Sequence, residues 1–600
     1  MKGNEFTDTW ELDSLLKGSG ELTELIAQTK VGIAECLERV ETLDLSNAQG
    51  NEEPVASILR DIGCIQNALS QMSSFVTCLL AENPGNQTGT SLQGSISSVK
   101  ADFSSLVKKL QHQLSELDSA TWNLLLQTES VRDYRFILSE WRTDADAALS
   151  NKEEALISDL MVDGYHAWND LYRSILNNLR VYIEMDGVEK TFSIGQAVNL
   201  RSHPNPAIRK NAFIALENLW TGQQETMARI LNHITGFRLQ VDRKRGASSS
   251  LEQPLKDNRM SEKTLQSMWR VVERHKPAFV DYLDHKAQSA GNDQMPSYDF
   301  WAPLAEKDIT LDYRQGAEFI LQQFRNFGPE LEQFIRNAFE KGWVEAADRP
   351  GKSAVAFCAG FPLSGESRVF LTFDGSITTL LTLAHELGHA FHNHALKDVA
   401  PLNRRYSMST AETASTFAEM IMLDAAIEQT DDSDEKLMLL DEKIKRSVMN
   451  FMNLHSRFLF EERLYEARKQ GMVSADHLNR MMEDALNEAY AGSMSHLPVH
   501  SWISMPHFYI TSSPFYNFPY TFGYLFAVSI YAKAKEQGAD FEKNYLALLR
   551  DTGSMTVEDL AMKHLGEDIT QESFWEKGMA LCLKDVEEFI QLSSRSLVGQ

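Results

Sequence analysis

The chain has little cysteine, a deficit of basic residues and no long apolar run. Its cysteines are Cys36, Cys64, Cys78, Cys358 and Cys582, and no two of them form a CxxC pair. This spacing excludes a CxxC metal or redox motif and favours buried free thiols in a reducing compartment. No uninterrupted apolar segment is long enough to span a bilayer, and residues 1–16 lack the basic start and apolar run of a signal peptide. We therefore predict a cytoplasmic protein without a membrane partner.

The charge of the chain is strongly acidic. Aspartate and glutamate number 84 against 58 lysines and arginines, which gives a net charge of −26. Phosphate groups would be repelled by such a protein, so nucleic acid is not expected as a partner. The chain is 43% hydrophobic over 600 residues, which is an ordinary globular composition with room for more than one folding unit.

Helical periodicity dominates the chain, and strand signals are scarce. Apolar residues recur at spacings of three and four along Val55–Met72 and Val99–Leu117, and the Gly/Ser/Thr-rich residues 83–98 between them read as a loop. The clearest strand is Arg368–Phe373, with a second expected over Lys352–Phe357. We predict a mostly α fold with a small β-sheet. Its expected regions are an N-terminal helical part (residues 1–119), a helical connection (120–200) and a catalytic part (201–600).

The run Leu383-Ala384-His385-Glu386-Leu387-Gly388-His389-Ala390-Phe391-His392 contains His-Glu-x-x-His among apolar residues. In a helix, His385 and His389 would lie one turn apart on the same face. Two imidazoles placed in this way can hold one Zn²⁺. Glu386 beside them could take a proton from a zinc-bound water as it attacks a carbonyl, and could later deliver it to the leaving amine.

A catalytic zinc site usually has a third protein ligand and an open position. The metzincin pattern HExxHxxGxxH fails, because His392 and Ala395 occupy its glycine and final histidine positions. His392 and His394 are possible ligands, but His392 would compete with His389 for space along one face. Glu412 is the better candidate, since a following helix could bring its carboxylate alongside. Glu419, two turns later, could accept the second N–H of a ligand histidine.

These motifs resemble those of the M3 family of zinc metallopeptidases, in particular its oligoendopeptidase F branch. The resemblance rests on Thr382–His392 and on Ala411-Glu412-Thr413-Ala414-Ser415-Thr416, with weaker similarity at Trp10–Leu15 and Phe460–Tyr465. It implies a large helical zincin-type fold with a deep channel, in which the small sheet lies beside the HExxH helix. It also implies His385, His389 and Glu412 as ligands of one zinc per chain, Glu386 as the base and Glu419 as a partner of a ligand.

The family also supplies a histidine and tyrosines from a late loop, which stabilise the tetrahedral intermediate. Here the similar segments are His507-Phe508-Tyr509, Phe515–Tyr520 and Gly523-Tyr524-Leu525. The resemblance thus implies His507, Tyr516 and Tyr524 as candidate donors, since a phenol or imidazole N–H suits a developing oxyanion. The family pattern Gly-Lys-Arg-Ser-Gly-Ala-Tyr is altered at Gly351–Phe357, which bears on substrate preference.

The leading hypothesis is a zinc-dependent endopeptidase that cuts short, unstructured peptides. One alternative keeps the same chemistry but removes dipeptides or single residues from a terminus. Another is a helical binding protein that holds zinc without turnover, which the presence of Glu386 disfavours. The sequence predicts neither the preferred peptide nor the oligomeric state.

Overall fold

Helices make up most of the structure, which confirms the predicted fold class. The structure is a computed structural model that describes residues 6–43, 52–185, 187–304, 310–353 and 355–598. The helices are α1 (Ser19–Glu41), α2 (Glu52–Glu82), α3 (Gln87–Ser115), α4 (Ser119–Gln127), α5 (Arg135–Asp146), α6 (Asn151–Met161), α7 (Ala167–Asn178), α8 (Ile194–Asn199), α9 (Pro206–Arg245), α10 (Glu252–Asp257), α11 (Glu262–Ser289), α12 (Tyr313–Phe327), α13 (Pro329–Glu340), α14 (Ile377–Ala395), α15 (Met408–Ala411), α16 (Thr413–Gln429), α17 (Ser433–Val448), α18 (Leu454–Lys469), α19 (Ala475–Ala489), α20 (Ser501–Ser504), α21 (Phe518–Gln537), α22 (Phe541–Asp551), α23 (Val557–Leu565) and α24 (Glu572–Val598). Among these residues, no helix is long and apolar enough to cross a membrane.

The strands are short and form small sheets. They are β1 (Val181–Met185), β2 (Val188–Phe192), β3 (Met295–Pro296), β4 (Val344–Glu345), β5 (Phe357–Phe361), β6 (Glu366–Phe370) and β7 (Met494–Ser495). The strand order is β4-β6-β5 in one sheet, and β1-β2 and β3-β7 pair separately. β6 is central, parallel to β4 and antiparallel to β5, with Phe357 opposite Phe370 and Phe361 opposite Glu366.

The chain forms two compact units, each built from separated segments. The first unit takes the described parts of Met1–Ala148, Asp308–Ala425 and Lys533–Glu567, and the second takes Leu149–Lys307, Ala426–Ala532 and Asp568–Gln600. This spatial grouping does not address the linear division at residues 119 and 200, which stays a prediction.

In the first unit, the N-terminal helices pack on the sheet that carries the site helix. α2 contacts β5, and α14 packs against both β5 and β6. Gln71 of α2 donates to Ser364 Oγ at 2.9 Å and accepts from the Leu363 amide at 3.2 Å, in the turn between β5 and β6. Arg368 of β6 is fully buried, and its guanidinium donates to the Glu11 carbonyl and to Ser14 Oγ, both at 2.9 Å. These bonds tie the N-terminal segment to the strand that precedes the HExxH helix.

In the second unit, a buried ion pair joins two long helices. Lys286 of α11 donates to Asp441 of α17 at 2.8 and 2.9 Å, and the Tyr282 hydroxyl donates to the same carboxylate at 2.6 Å. Both charged side chains are 3% exposed, and Asp441 also pairs with the buried Lys445 at 3.2 Å, so these charges stabilise one another away from water.

Two local predictions were wrong. Residues 87–98 are helical, because Asn86 caps α3 by accepting from the Gly89 amide at 2.9 Å and because Ile96 is buried. The strand expected at 352–357 begins only at Phe357, since the Ser353 amide donates to the Ala81 carbonyl at 3.0 Å instead of to a strand neighbour. Ala354 lies outside the described residues.

The prediction of buried free thiols is correct for three of the five cysteines, partly correct for one and wrong for one. All five cysteines are free; Cys36, Cys78 and Cys582 are buried, Cys358 is partly exposed and Cys64 is exposed.

Candidate active site

The HExxH motif lies in the middle of α14, as its spacing predicts. Ser376 caps the helix by accepting from the Thr379 amide at 3.3 Å, and leucines and alanines along one side are buried. The imidazoles of His385 and His389 therefore lie one turn apart, with ring centroids separated by 4.8 Å. Both rings are partly exposed, whereas Glu386 between them is 6% exposed.

A glycine allows the next helix to approach this motif closely. A Cβ built on Gly388 would lie 2.6 Å from the Ala414 carbonyl oxygen and 2.7 Å from Ser415 Cα. Only a residue without a side chain permits this approach. The contact places the start of α16, and with it Glu412, beside α14.

Glu412 completes a cluster of three possible metal ligands with His385 and His389. Its Oε2 lies 3.3 Å from His385 Nε2 and 3.6 Å from His389 Nε2. Ligands bound at about 2.0–2.2 Å to one tetrahedral ion stand roughly 3.3–3.6 Å apart, so the measured separations fit zinc with two nitrogen donors and one oxygen donor. Within the part of the chain that the structure describes, this is the one group of three or more His, Cys, Asp or Glu that could hold a metal.

Further contacts orient two of these side chains. Glu419 Oε1 lies 2.5 Å from His385 Nδ1, which leaves Nε2 of that ring facing Glu412. Ser415 Oγ donates to Glu412 Oε2 at 2.7 Å. A carboxylate bound to the second nitrogen of a ligand histidine fixes its tautomer and makes it more basic. Glu419 thus has the contact that the sequence predicts, while Ser415 was not singled out from the sequence.

Burial and the neighbouring charges shift the pKa values of the site in opposite directions. Burial raises the pKa of Glu386 to about 7, aided by Glu412 and Glu419 and opposed by His385. Burial acts to lower the pKa of His385, but the bond to Glu419 and the nearby carboxylates outweigh it and raise that pKa to about 9. For His389, burial and the neighbouring His385 lower the pKa to about 4.

His392 and His394 have other partners. His392 is fully buried, its Nε2 lies 2.9 Å from Thr552 Oγ1, and its ring stacks on Tyr406 at 4.2 Å. His394 packs against Phe334, with ring centroids 4.5 Å apart. Neither belongs to the cluster of possible ligands.

The late loop of the second unit gathers His507 with two phenols. The His507 ring centroid lies 5.0 Å from that of Tyr516 and 5.8 Å from that of Tyr520, and all three side chains are partly exposed. His507 Nδ1 lies 2.8 Å from Asn517 Oδ1. Sequence reasoning did not single out Asn517, because a lone asparagine within an aromatic run gives no functional signal.

Tyr524 has a different environment from the other candidate donors. It is 5% exposed, its hydroxyl lies 2.9 Å from Ser447 Oγ, and its ring packs on Phe451. The structure therefore does not group Tyr524 with His507. The phenol that lies beside both His507 and Tyr516 is Tyr520.

Comparison with known proteins decides the family. A family model described as Peptidase family M3 matches residues 199–581, which is more than half of the chain. The chain belongs to peptidase family M3. A second model, described as Oligopeptidase F, matches residues 105–180 of this M3 peptidase. The resemblance to the oligoendopeptidase F branch is thereby confirmed, and the chain is a metallopeptidase by family.

Relatives cover nearly the whole length of the M3 peptidase at low identity. It is 22% identical over 571 residues to the oligoendopeptidase F homolog of Lactococcus lactis subsp. lactis (strain IL1403), covering 91% of each chain. The oligoendopeptidase F homolog of Borreliella burgdorferi is also 22% identical, over 94% of this chain and 95% of its own.

Solved structures share the fold. A protein from Chlamydophila abortus described as a peptidase has a TM-score of 0.83 at 19% identity, covering 98% of both chains. Oligoendopeptidase-F from Enterococcus faecium has a TM-score of 0.70 at 18% identity, over 96% of this chain and 100% of its own.

Proposed function

We propose that this M3 peptidase is a zinc-dependent endopeptidase that hydrolyses short, unstructured peptides. The observation that carries the proposal is the cluster of His385, His389 and Glu412, whose spacing suits one zinc ion and whose three ligands leave a position open. The related oligoendopeptidases F support peptides as substrates. One zinc per chain is expected.

The residues of the cluster have separate tasks in this reaction. When bound, zinc supplies a Lewis acid for the peptide carbonyl and makes water more acidic. Glu386, adjacent to a ligand on α14, takes a proton from the attacking water and delivers it to the amine nitrogen as the C–N bond breaks. Glu419 holds His385 with its Nε2 free for the metal. Ser415 orients the Glu412 carboxylate by donating to Oε2, the oxygen that faces the two histidines.

For the oxyanion, the candidate donors are Tyr516 and, when its ring is protonated, His507. They are polar, partly exposed and adjacent to each other, which suits groups that meet a substrate. Tyr520 shares their environment and is a third candidate. The hydroxyl of Tyr524 is already bonded to Ser447, so the structure offers no support for its predicted role. A cytoplasmic location is proposed from the free thiols.

A peptide-library digest with and without chelator tests the proposal. We expect cleavage inside peptides blocked at both ends, loss of cleavage on chelation and its recovery with one equivalent of zinc. Glu386→Gln should retain zinc and lose nearly all turnover, while Glu428→Gln, which changes an exposed acid on α16, should behave as wild type. Cleavage only at free termini would establish the exopeptidase alternative. Full activity of Glu386→Gln would show that Glu386 is not the general base.

A further inference from the structure

A buried carboxylate supports the loop that carries His507. Glu461 on α18 is 4% exposed, and its Oε1 accepts from the Phe515 amide at 2.9 Å. Phe515 has φ of +54°, a left-handed conformation that is costly for a bulky residue and that persists only where the surroundings enforce it. Arg238 lies over the Phe515 ring at 5.6 Å, and its charge stabilises the Glu461 carboxylate. Glu461 therefore fixes the loop two residues before Asn517.

The Asn517 side chain lies between Glu461 and His507. Its Oδ1 is 2.8 Å from His507 Nδ1. Burial raises the pKa of Glu461 to about 7, opposed by the Phe515 amide, Arg238 and the nearby Asn517 side chain. Asn517 Nδ2 and Glu461 Oε2 are both buried, and neither forms a hydrogen bond of good geometry with a described residue. A carboxylate attracts the NH₂ end of an amide and repels the oxygen end. Glu461 consequently selects the orientation in which Oδ1 points to His507.

We propose that Glu461 and Asn517 are positioning residues that fix the tautomer of His507. An amide oxygen can only accept, so His507 must carry its proton on Nδ1, which leaves Nε2 of the neutral ring without one. Under the proposed function, on which this inference rests, neutral His507 presents an acceptor at Nε2. It becomes a donor there only as imidazolium.

The surroundings favour the neutral ring. Burial and the nearby Arg457 lower the pKa of His507, against the opposing effect of the Asn517 bond. The uncharged donors of the cluster are then the phenols of Tyr516 and Tyr520. This differs from the expectation that an imidazole N–H serves the oxyanion in its neutral form.

Histidine ¹⁵N NMR tests the tautomer directly. In protein labelled at its histidines, the His507 signals are assigned by their loss in His507→Gln. We expect the protonated-type shift at Nδ1 and the unprotonated-type shift at Nε2. In Glu461→Gln, the new amide oxygen can still accept from Phe515, but its NH₂ group then faces Asn517. Asn517 should turn over, and the His507 proton should move to Nε2. A wild-type proton on Nε2, or an unchanged spectrum in Glu461→Gln, would overturn the inference.

Kinetics give an independent readout. Asn517→Leu should lower kcat about 10- to 100-fold with little change in KM, since a misplaced group costs turnover more than binding. Glu462→Gln repeats the Glu461→Gln change one residue along α18 and is the control. Thermal unfolding verifies that each variant is folded. Turnover of Asn517→Leu equal to that of the control would contradict positioning.

The two hypotheses fail separately. A wild-type protein that binds zinc but cleaves no peptide would remove the proposed function and leave the tautomer result intact. Zinc-dependent cleavage with His507 protonated at Nε2 would support the proposed function and overturn the tautomer inference.

Discussion

Replacing Gly388 by alanine tests how the metal site is assembled. Intrinsic helix propensity predicts that this change in the middle of α14 stabilises the protein by about 0.8–1.0 kcal/mol. The structure predicts the opposite sign. The new Cβ would meet the backbone at Ala414 and Ser415, which cannot turn aside as a flexible side chain would.

The size of the effect follows from the geometry. The gap to the Ala414 oxygen must open from 2.6 Å to the 3.4 Å of an ordinary contact, which moves the start of α16 by about 0.8 Å. Zinc sites hold their ligand distances to about 0.2 Å, so Glu412, two residues before Ala414, cannot follow that shift and remain well placed. We expect zinc affinity to fall roughly 10- to 100-fold, by analogy with the loss of outer-shell partners, which is about 1.4–2.8 kcal/mol. Overpacking should also lower the free energy of unfolding by about 1–3 kcal/mol.

The assay is a competition titration of zinc against a chromophoric chelator, starting from metal-free protein, together with denaturant unfolding. Gly222→Ala is the matched control, because Gly222 is also within a helix and a Cβ there meets nothing within 4 Å. The control should be neutral or slightly stabilising. Wild-type zinc affinity in Gly388→Ala would refute the argument that this close approach positions Glu412.

Three other substitutions test neighbouring features. Glu419→Gln should weaken zinc binding roughly 10- to 100-fold by loosening a ligand histidine, measured by the same titration with Glu428→Gln as control; equal affinities would contradict the contact's role. His392→Gln should leave one zinc per chain, because that ring is bonded elsewhere. Loss of zinc by metal analysis of the folded variant would make His392 a ligand after all. Asp441→Asn should destabilise the protein by about 3–5 kcal/mol, since it leaves the Lys286 ammonium buried without its counter-ion. A denaturant midpoint equal to that of wild type would show that the ion pair adds nothing.

The cluster of possible metal ligands could be anticipated because the residues that form it lie close together in the sequence. The two histidines follow the helical repeat, and Glu412 lies close behind them in a segment with its own motif. The mostly α fold could be predicted for the same reason, since apolar periodicity reports the buried face of a helix. The loop prediction is wrong over residues 87–98, because a cap at Asn86 and the burial of Ile96 outweigh the low helix propensity of that Gly/Ser/Thr-rich composition.

The late loop could not be worked out in the same way. The order of Tyr516, Tyr520 and Tyr524 in sequence does not say which phenols share a surface, and the structure separates Tyr524 by its bond to Ser447. The contact between Glu461 and Phe515 joins residues far apart in the sequence and depends on a left-handed backbone at a phenylalanine. Neither periodicity nor composition reports such a contact.

The segmented construction of the first unit has a consequence during synthesis on the ribosome. The HExxH helix is complete once Ala395 has been added, yet its buried face includes the bond from His392 to Thr552. At about 5–20 residues per second, the roughly 150 residues between them take some 8–30 s to translate. For that interval His385 and His389 lie on a helix whose packing is unfinished. The packing of this helix is thus completed only after Thr552 has been added to the chain.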